Sequence, residues 1–113
     1  MKIVGIGETV FDIVFKDGKP QAAVPGGSVF NAIISLGRTA GTAARCAAPR
    51  VIMATQMGKD NASEIIIDFM RRNNVETTHA ICVEGRQSTI SLAMLDSRND
   101  ARYEFFRDSA MPK

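Results

Sequence analysis

The chain has 113 residues and a net charge of +2, with 45% hydrophobic and 23% charged residues, which is ordinary for one small globular domain. Its basic residues are scattered and form no stripe, so the composition argues against a nucleic-acid partner. No run approaches the roughly 18–20 apolar residues of a membrane span, and the apolar start is too short for a signal sequence. We therefore expect a cytoplasmic protein with no membrane partner.

The residues that most often bind transition metals are few. Cys46 and Cys82 lie far apart, outside any zinc-ligand spacing, and His79 is the one histidine in the sequence. A zinc site or a histidine-based catalytic cluster is therefore disfavoured. Both cysteines have apolar neighbours, and we predict reduced thiols in the core or at the surface.

The first 27 residues favour strands. Residues 2–7 form a short β-branched run typical of a buried strand, and residues 9–15 form a second one. An Asp-Gly turn signal at residues 17–18 predicts that residues 21–24 return as a hairpin partner. The Pro-Gly-Gly sequence at residues 25–27 then breaks the chain.

Two helices are predicted in the middle of the chain. Ser28 is a good N-cap, and the apolar spacing behind it predicts a helix over residues 29–38, which Gly37 and Gly41 would end. Asn61 or Ser63 would cap a second amphipathic helix over residues 62–73. A buried strand over residues 51–54 lies between them.

The last part of the chain again favours strands, at residues 78–83, 88–95 and 101–107. Strands that alternate with helices predict an α/β fold, with a partial parallel sheet. The hairpins at about 9–24 and 88–107 are surplus to this pattern, and we expect them to project from the parallel sheet.

A ligand site is indicated where the first hairpin meets the first helix. Gly26 and Gly27 permit positive φ and close approach of a ligand to the backbone, and they precede a helix N-terminus, which favours polar oxygens. Asn31, one turn into the helix, has an amide that both donates and accepts, which suits a polyhydroxylated ligand. A Gly-Gly hinge beside a solvated Asn explains the same pattern equally well.

Asp12 is a second candidate, because a carboxylate within an apolar strand is a good acceptor for vicinal hydroxyls. The alternative is a solvent-facing strand residue. The Gly-x-Gly at residues 5–7 is not a dinucleotide fingerprint, since Val10 stands where the third glycine is needed and a strand is predicted to follow.

These motifs together resemble the PfkB (ribokinase-like) carbohydrate kinases, especially the fructokinase and 2-keto-3-deoxygluconate kinase branch. The chain shows, in the family's order, the Gly-x-Gly-Glu of residues 5–8 with Asp12, the Gly-Gly and Asn of residues 26–32, the Gly-x-Asp of residues 58–60, and a Phe-Arg-Asp-Ser-Ala sequence at residues 106–110. The resemblance extends over the whole chain and implies the N-terminal part of a three-layer α/β/α fold with a β-lid.

The resemblance implies an ATP- and Mg²⁺-dependent phosphorylation of a sugar hydroxyl. It assigns sugar binding to residues on both sides of the first hairpin and at the end of the chain: Asp12, Gly26, Gly27, Asn31 and Arg107. Arg107 would meet a polar or anionic end of the substrate, which favours a ketose or keto acid. The lid implies a homodimer.

The sequence departs from the family in two ways. Residues 39–50 form a longer, Ala-rich link than usual, and the match covers about the first third of a family member. The family's nucleotide site and its Gly-x-Gly-Asp motif, which carries the catalytic base, do not occur in residues 1–113. We therefore expect no catalytic residue here and an inactive sugar-binding part of a kinase. A stand-alone sugar-binding or dimerising module, and a structural remnant without a ligand, are the alternatives.

Overall fold

The computed structural model describes residues 1–42 and 48–108, and these contain eight strands and two helices. The elements in chain order are β1 (Lys2–Ile6), β2 (Val10–Lys16), β3 (Lys19–Gly26), α1 (Ser28–Thr42), β4 (Arg50–Gly58), α2 (Asn61–Arg72), β5 (Val75–Glu76), β6 (Ala80–Val83), β7 (Ile90–Leu95) and β8 (Ala101–Phe106). Of the predicted insertion at 39–50, residues 39–42 continue α1 and Arg50 begins β4. Residues 43–47, with Cys46, and the end of the last motif at residues 109–110 lie outside the described residues.

A parallel sheet forms the centre of the fold. β4 pairs with β1 on one side. On its other side β4 pairs first with β5 and then, further along, with β6, again in parallel. The predicted α/β class with a parallel sheet is thus confirmed.

Both helices cover the same face of this sheet. Phe30 and Ile33 of α1 and Ile66 and Met70 of α2 share one buried cluster with Met53 of β4. The side chains of a strand alternate between faces, so the neighbours of Met53 along β4 and the even-numbered residues of β1 point to the opposite face. On that face Val4 and Ile6 of β1 are exposed. Within the described residues no helix covers this face.

The two predicted hairpins join into one second sheet, which we call the hairpin sheet (β2, β3, β7 and β8). Its strand order is β3-β2-β7-β8, with antiparallel hairpins at both sides and a parallel β2–β7 pair between them. A two-residue turn at Asp17 and Gly18, both with positive φ, closes the first hairpin as its sequence predicts. The hairpin sheet is separate from the parallel sheet, as expected.

Helix α1 is longer than predicted, since it passes through both glycines that were expected to end it. A Cβ on Gly37 would lie 2.8 Å from Val75 Cγ2 and would also overlap the carbonyl oxygen of Asn73. Gly37 therefore permits close helix packing and does not terminate the helix. Ser28, the predicted N-cap, is the first helical residue, and the Gly27 carbonyl accepts the first helical hydrogen bond, from Asn31 N, at 2.8 Å.

The cap of α2 also differs from the prediction. Asp60, and neither Asn61 nor Ser63, is the N-cap residue, and it forms a capping box with Ser63. Among the described residues, no helix is long and apolar enough to cross a membrane.

Candidate functional site

Asp12 lies in the middle of the hairpin sheet. It is opposite Val24 of β3 and Ser91 of β7, and its Oδ1 accepts a hydrogen bond from the Ser91 hydroxyl. Ser91 is fully buried, whereas Asp12 is half-buried. A buried hydroxyl thus fixes one carboxylate oxygen of Asp12 while the side chain remains accessible in part.

Gly26 and Gly27 each lie where a side chain would meet another part of the chain, and the two contacts differ. A Cβ on Gly26 would overlap Asp12 Oδ2, so glycine permits the hairpin backbone to lie against the carboxylate. Gly27 has φ +122°, and a Cβ there would lie 2.6 Å from the carbonyl oxygen of Glu8. The Gly-Gly turn therefore packs between Asp12 and the loop that follows β1.

Asn31 lies one turn into α1, directly above this turn. Its backbone N–H donates to the Gly27 carbonyl at 2.8 Å, and the residue is exposed. Asn31 is therefore accessible to solvent one helical turn after the Gly-Gly sequence, and its amide both donates and accepts hydrogen bonds.

Arg107 follows β8 and forms a two-pronged ion pair with Glu8. Its Nε and one terminal nitrogen donate to the two carboxylate oxygens of Glu8, each at 2.9 Å. The guanidinium carbon also lies 4.5 Å from the centroid of the Phe105 ring. The hydrogen bond to Glu8 raises the pKa of Arg107.

Contacts connect the predicted residues into one continuous group. Gly26 lies against Asp12, Gly27 lies against Glu8 and bonds to Asn31, and Glu8 binds Arg107. Two residues of this group were not predicted as site residues, Glu8 and Ser91. Glu8 is part of the Gly-x-Gly-Glu segment, but the sequence alone does not show that its partner lies 99 positions further along the chain.

An open depression of about 380 Å³ adjoins the group at the carboxyl end of β1, where β4 continues past Ala54, its last residue paired with β1. The polar residues Glu8, Gln56 and His79 line this depression, together with Ile6 and Ala54 of the uncovered sheet face. Ligands of parallel α/β sheets bind beyond the carboxyl ends of the strands, so this position is the expected one for a substrate.

A second polar cluster joins the parallel sheet to the hairpin sheet. The Asp60 carboxylate accepts hydrogen bonds from the backbone N–H groups of Ser63 and Ser88, at 3.0 and 2.8 Å, and from the Ser88 hydroxyl at 2.7 Å. Burial acts to raise the Asp60 pKa, but the bonds from Ser88 and Ser63 outweigh it and hold the pKa below its usual value. The Gly-x-Asp motif therefore fixes the start of the chain segment that leads into β7.

The described residues contain no group of three or more His, Cys, Asp or Glu side chains that could hold a metal ion. Residues 1–113 also lack the Gly-x-Gly-Asp motif. No step of a phosphoryl transfer is therefore assigned to Mg²⁺ or ATP on these residues.

No family model matches the chain, and no curated protein matches its sequence. Solved structures do match its fold. A sugar kinase from Pyrococcus horikoshii matches with a TM-score of 0.79 and 20% identity, over 96% of this chain and 34% of that one. Ribokinase from Thermotoga maritima matches with a TM-score of 0.71 and 21% identity, over 93% and 36%.

Fructokinase with bound ATP from Xylella fastidiosa is similar to the same extent, with a TM-score of 0.73 and 18% identity over 94% of this chain and 33% of that one. The chain therefore has the ribokinase-like α/β fold of sugar kinases. The resemblance predicted from the motifs is confirmed at the level of the fold. The chain spans about a third of the length of the kinases it matches.

Proposed function

We propose that residues 1–113 form the sugar-binding part of a PfkB-type carbohydrate kinase. The observation that carries this proposal is the contact between Gly26 and the Asp12 carboxylate. Gly26 and Gly27 directly precede the helix that carries Asn31. An acceptor pair and an amide at one end of the fold suit the vicinal hydroxyls of a sugar.

Each residue has a separate task in this proposal. Asp12 accepts hydrogen bonds from two adjacent hydroxyls through its two carboxylate oxygens, of which Oδ1 also accepts from Ser91 and Oδ2 lies beside Gly26. Asn31 binds a further hydroxyl, and the Gly26-Gly27 backbone closes against the ring. Glu8 and Arg107 form the other end of the pocket, across the Gly26-Gly27 turn from Asp12.

Residues 1–113 position a sugar but do not phosphorylate it. A positioned base contributes about 10²–10⁴-fold to a rate, and the electrostatic stabilisation of the transferred phosphoryl group is usually the larger effect. The base would come from the Gly-x-Gly-Asp motif, which these residues lack. We expect no ATP-dependent product in a phosphorylation assay with this chain, and turnover at kinase rates would contradict the proposal.

A titration with a panel of neutral sugars tests the binding itself. Wild-type chain should bind a sugar of the panel weakly, because one wall of the pocket is present, and Asp12→Ala should abolish the binding. Asp68→Ala, which removes a carboxylate of an exposed ion pair on α2, is the matched control and should bind as wild type does. Equal affinity of wild type and Asp12→Ala for every sugar would overturn the assignment.

We also propose that the hairpin sheet acts as a lid and forms a homodimer. Its outer strand β8 is exposed along its whole length and presents Tyr103, Phe105 and Phe106 to solvent. An exposed edge strand with aromatic side chains favours pairing with another chain. Sedimentation that shows the same monomer for wild type and Tyr103→Lys would contradict the dimer.

Fractionation of cells tests the predicted cytoplasmic location.

A further inference from the structure

We propose that Glu8 determines the charge of the substrate: by occupying Arg107 it selects a neutral sugar and rejects a sugar acid. This inference rests on the proposed sugar-binding function. The motif resemblance had assigned Arg107 to a polar or anionic end of the substrate. The geometry gives that arginine an internal carboxylate instead.

Glu8 occupies one of the edges of the Arg107 guanidinium that can bind a carboxylate through two N–H bonds. Arginine binds a carboxylate best through two parallel N–H bonds, and here Nε and a terminal nitrogen both donate to Glu8 at 2.9 Å. The side chains of Arg107 and Glu8 are 39% and 27% exposed, so the pair is accessible to a ligand but not fully solvated. A sugar acid would have to displace Glu8 to bind this edge, or bind the remaining terminal N–H groups of a guanidinium whose charge Glu8 already offsets.

The fold holds Glu8 in place against such displacement. The Thr89 hydroxyl donates to Glu8 Oε2 at 3.3 Å, which adds a third bond to the carboxylate. The Glu8 carbonyl lies against Gly27, and Gly7 packs closely on Val29 of α1. Both the backbone and the carboxylate of Glu8 have fixed contacts, so moving the Glu8 side chain away from Arg107 would cost these contacts. A neutral sugar can bind without moving Glu8.

The balance of charge favours the same selection. Asp12 and Glu8 lie on the two sides of the Gly26-Gly27 turn, and Arg107 offsets one of these two carboxylates. A ligand carboxylate would be a third negative charge in the group. Like charges close together at a binding surface oppose binding, so a neutral polyol is favoured.

Calorimetric titration of the 113-residue chain tests the inference, with D-fructose as the neutral probe and 2-keto-3-deoxygluconate as the anionic one. We expect wild type to bind D-fructose at least about tenfold more tightly, and Glu8→Gln to lower this ratio by about tenfold or more because it removes the competing charge. Glu76→Gln is the matched control. It breaks the equivalent two-pronged pair with Arg50 at the amino end of β4 and should leave the ratio unchanged.

The outcomes separate this inference from the proposed function. If D-fructose binds wild type and the ratio is the same in Glu8→Gln, the selection by Glu8 is wrong while sugar binding stands. Tighter binding of the sugar acid than of D-fructose by wild type overturns the inference even if Glu8→Gln fails to fold. If neither probe binds wild type or Glu8→Gln, the proposed function fails as well.

Discussion

The carbonyl oxygen of Glu8 lies 2.6 Å from the position that a Cβ on Gly27 would occupy. The loop after β1 and the turn before α1 are therefore packed backbone to backbone, and neither can shift without moving the other. This contact connects the strand that carries Glu8 to the helix that carries Asn31.

Gly27→Ala should destabilise the protein by about 1–3 kcal/mol from backbone strain, and by more where the Glu8 carbonyl cannot move away. The variant should also lose sugar affinity, because Glu8 and Asn31 change position together. Gly18→Ala is the control: its φ is +77° but nothing lies within 4 Å, so it should cost only about 1–2 kcal/mol from the left-handed conformation. Urea denaturation measures both, and equal losses would show that the Glu8 contact is unimportant.

Gly26→Ala should destabilise through Asp12, because the added methyl group overlaps the carboxylate. The expected cost is about 1 kcal/mol, at the low end for overpacked sites, because the overlapped atom is the end of a half-buried side chain that can move. In the double variant Asp12→Ala/Gly26→Ala the carboxylate is absent, so the cost of the Gly26 substitution should shrink. A double-mutant cycle from urea denaturation measures this coupling, and additive losses would contradict the contact.

Asp60 should contribute stability that is lost in acid. Its folded pKa lies below the usual value of 3.8, so the contribution is full above that pH and disappears as the pH falls through the lower folded value. Asp60→Asn keeps a capping side chain but loses the charge, so wild type should be more stable at neutral pH and the difference should shrink as the pH falls below 3.8. Thermal unfolding across this range measures the difference.

The matched control for Asp60 is Asp68, which forms an exposed pair with Arg72 on the same helix. Asp68→Asn should cost about 0.5 kcal/mol or less, because exposed i,i+4 pairs contribute little. A difference between wild type and Asp60→Asn that stayed constant with pH would show that the Asp60 charge is not involved.

The chain should associate as its concentration rises. On the sheet face opposite the helices, Val4 and Ile6 are 52% and 77% exposed. Both belong to β1, which is an edge strand of the parallel sheet among the described residues. Parallel sheets are usually covered on both faces, so an open apolar face favours contact with another molecule. Ile6→Lys should reduce association in light scattering, whereas Ile65→Lys on the exposed side of α2 should not. A compact monomer at every concentration would contradict this prediction.

Much of the fold follows from local pattern. The periodicity of apolar residues placed both helices, and the Asp-Gly turn placed the first hairpin. The two helix boundaries that differ from the prediction have different reasons. Gly37 does not end α1 because it packs on a distant segment, at Asn73 and Val75, which no local pattern shows. The N-cap of α2 is Asp60, and neither Asn61 nor Ser63, because Asp60 forms a local capping box in which Ser63 is the third helical residue.

Local sequence patterns were enough to predict the α/β class, the two helices and the motif residues Asp12, Gly26, Gly27 and Asn31, because each pattern extends over about one turn or one strand. The joining of the two hairpins into one sheet, and the ion pair of Glu8 with Arg107, 99 positions away, become evident in the folded chain. Such pairs depend on strand register and on the path of the chain between them. Local periodicity carries no information about which distant side chains then meet.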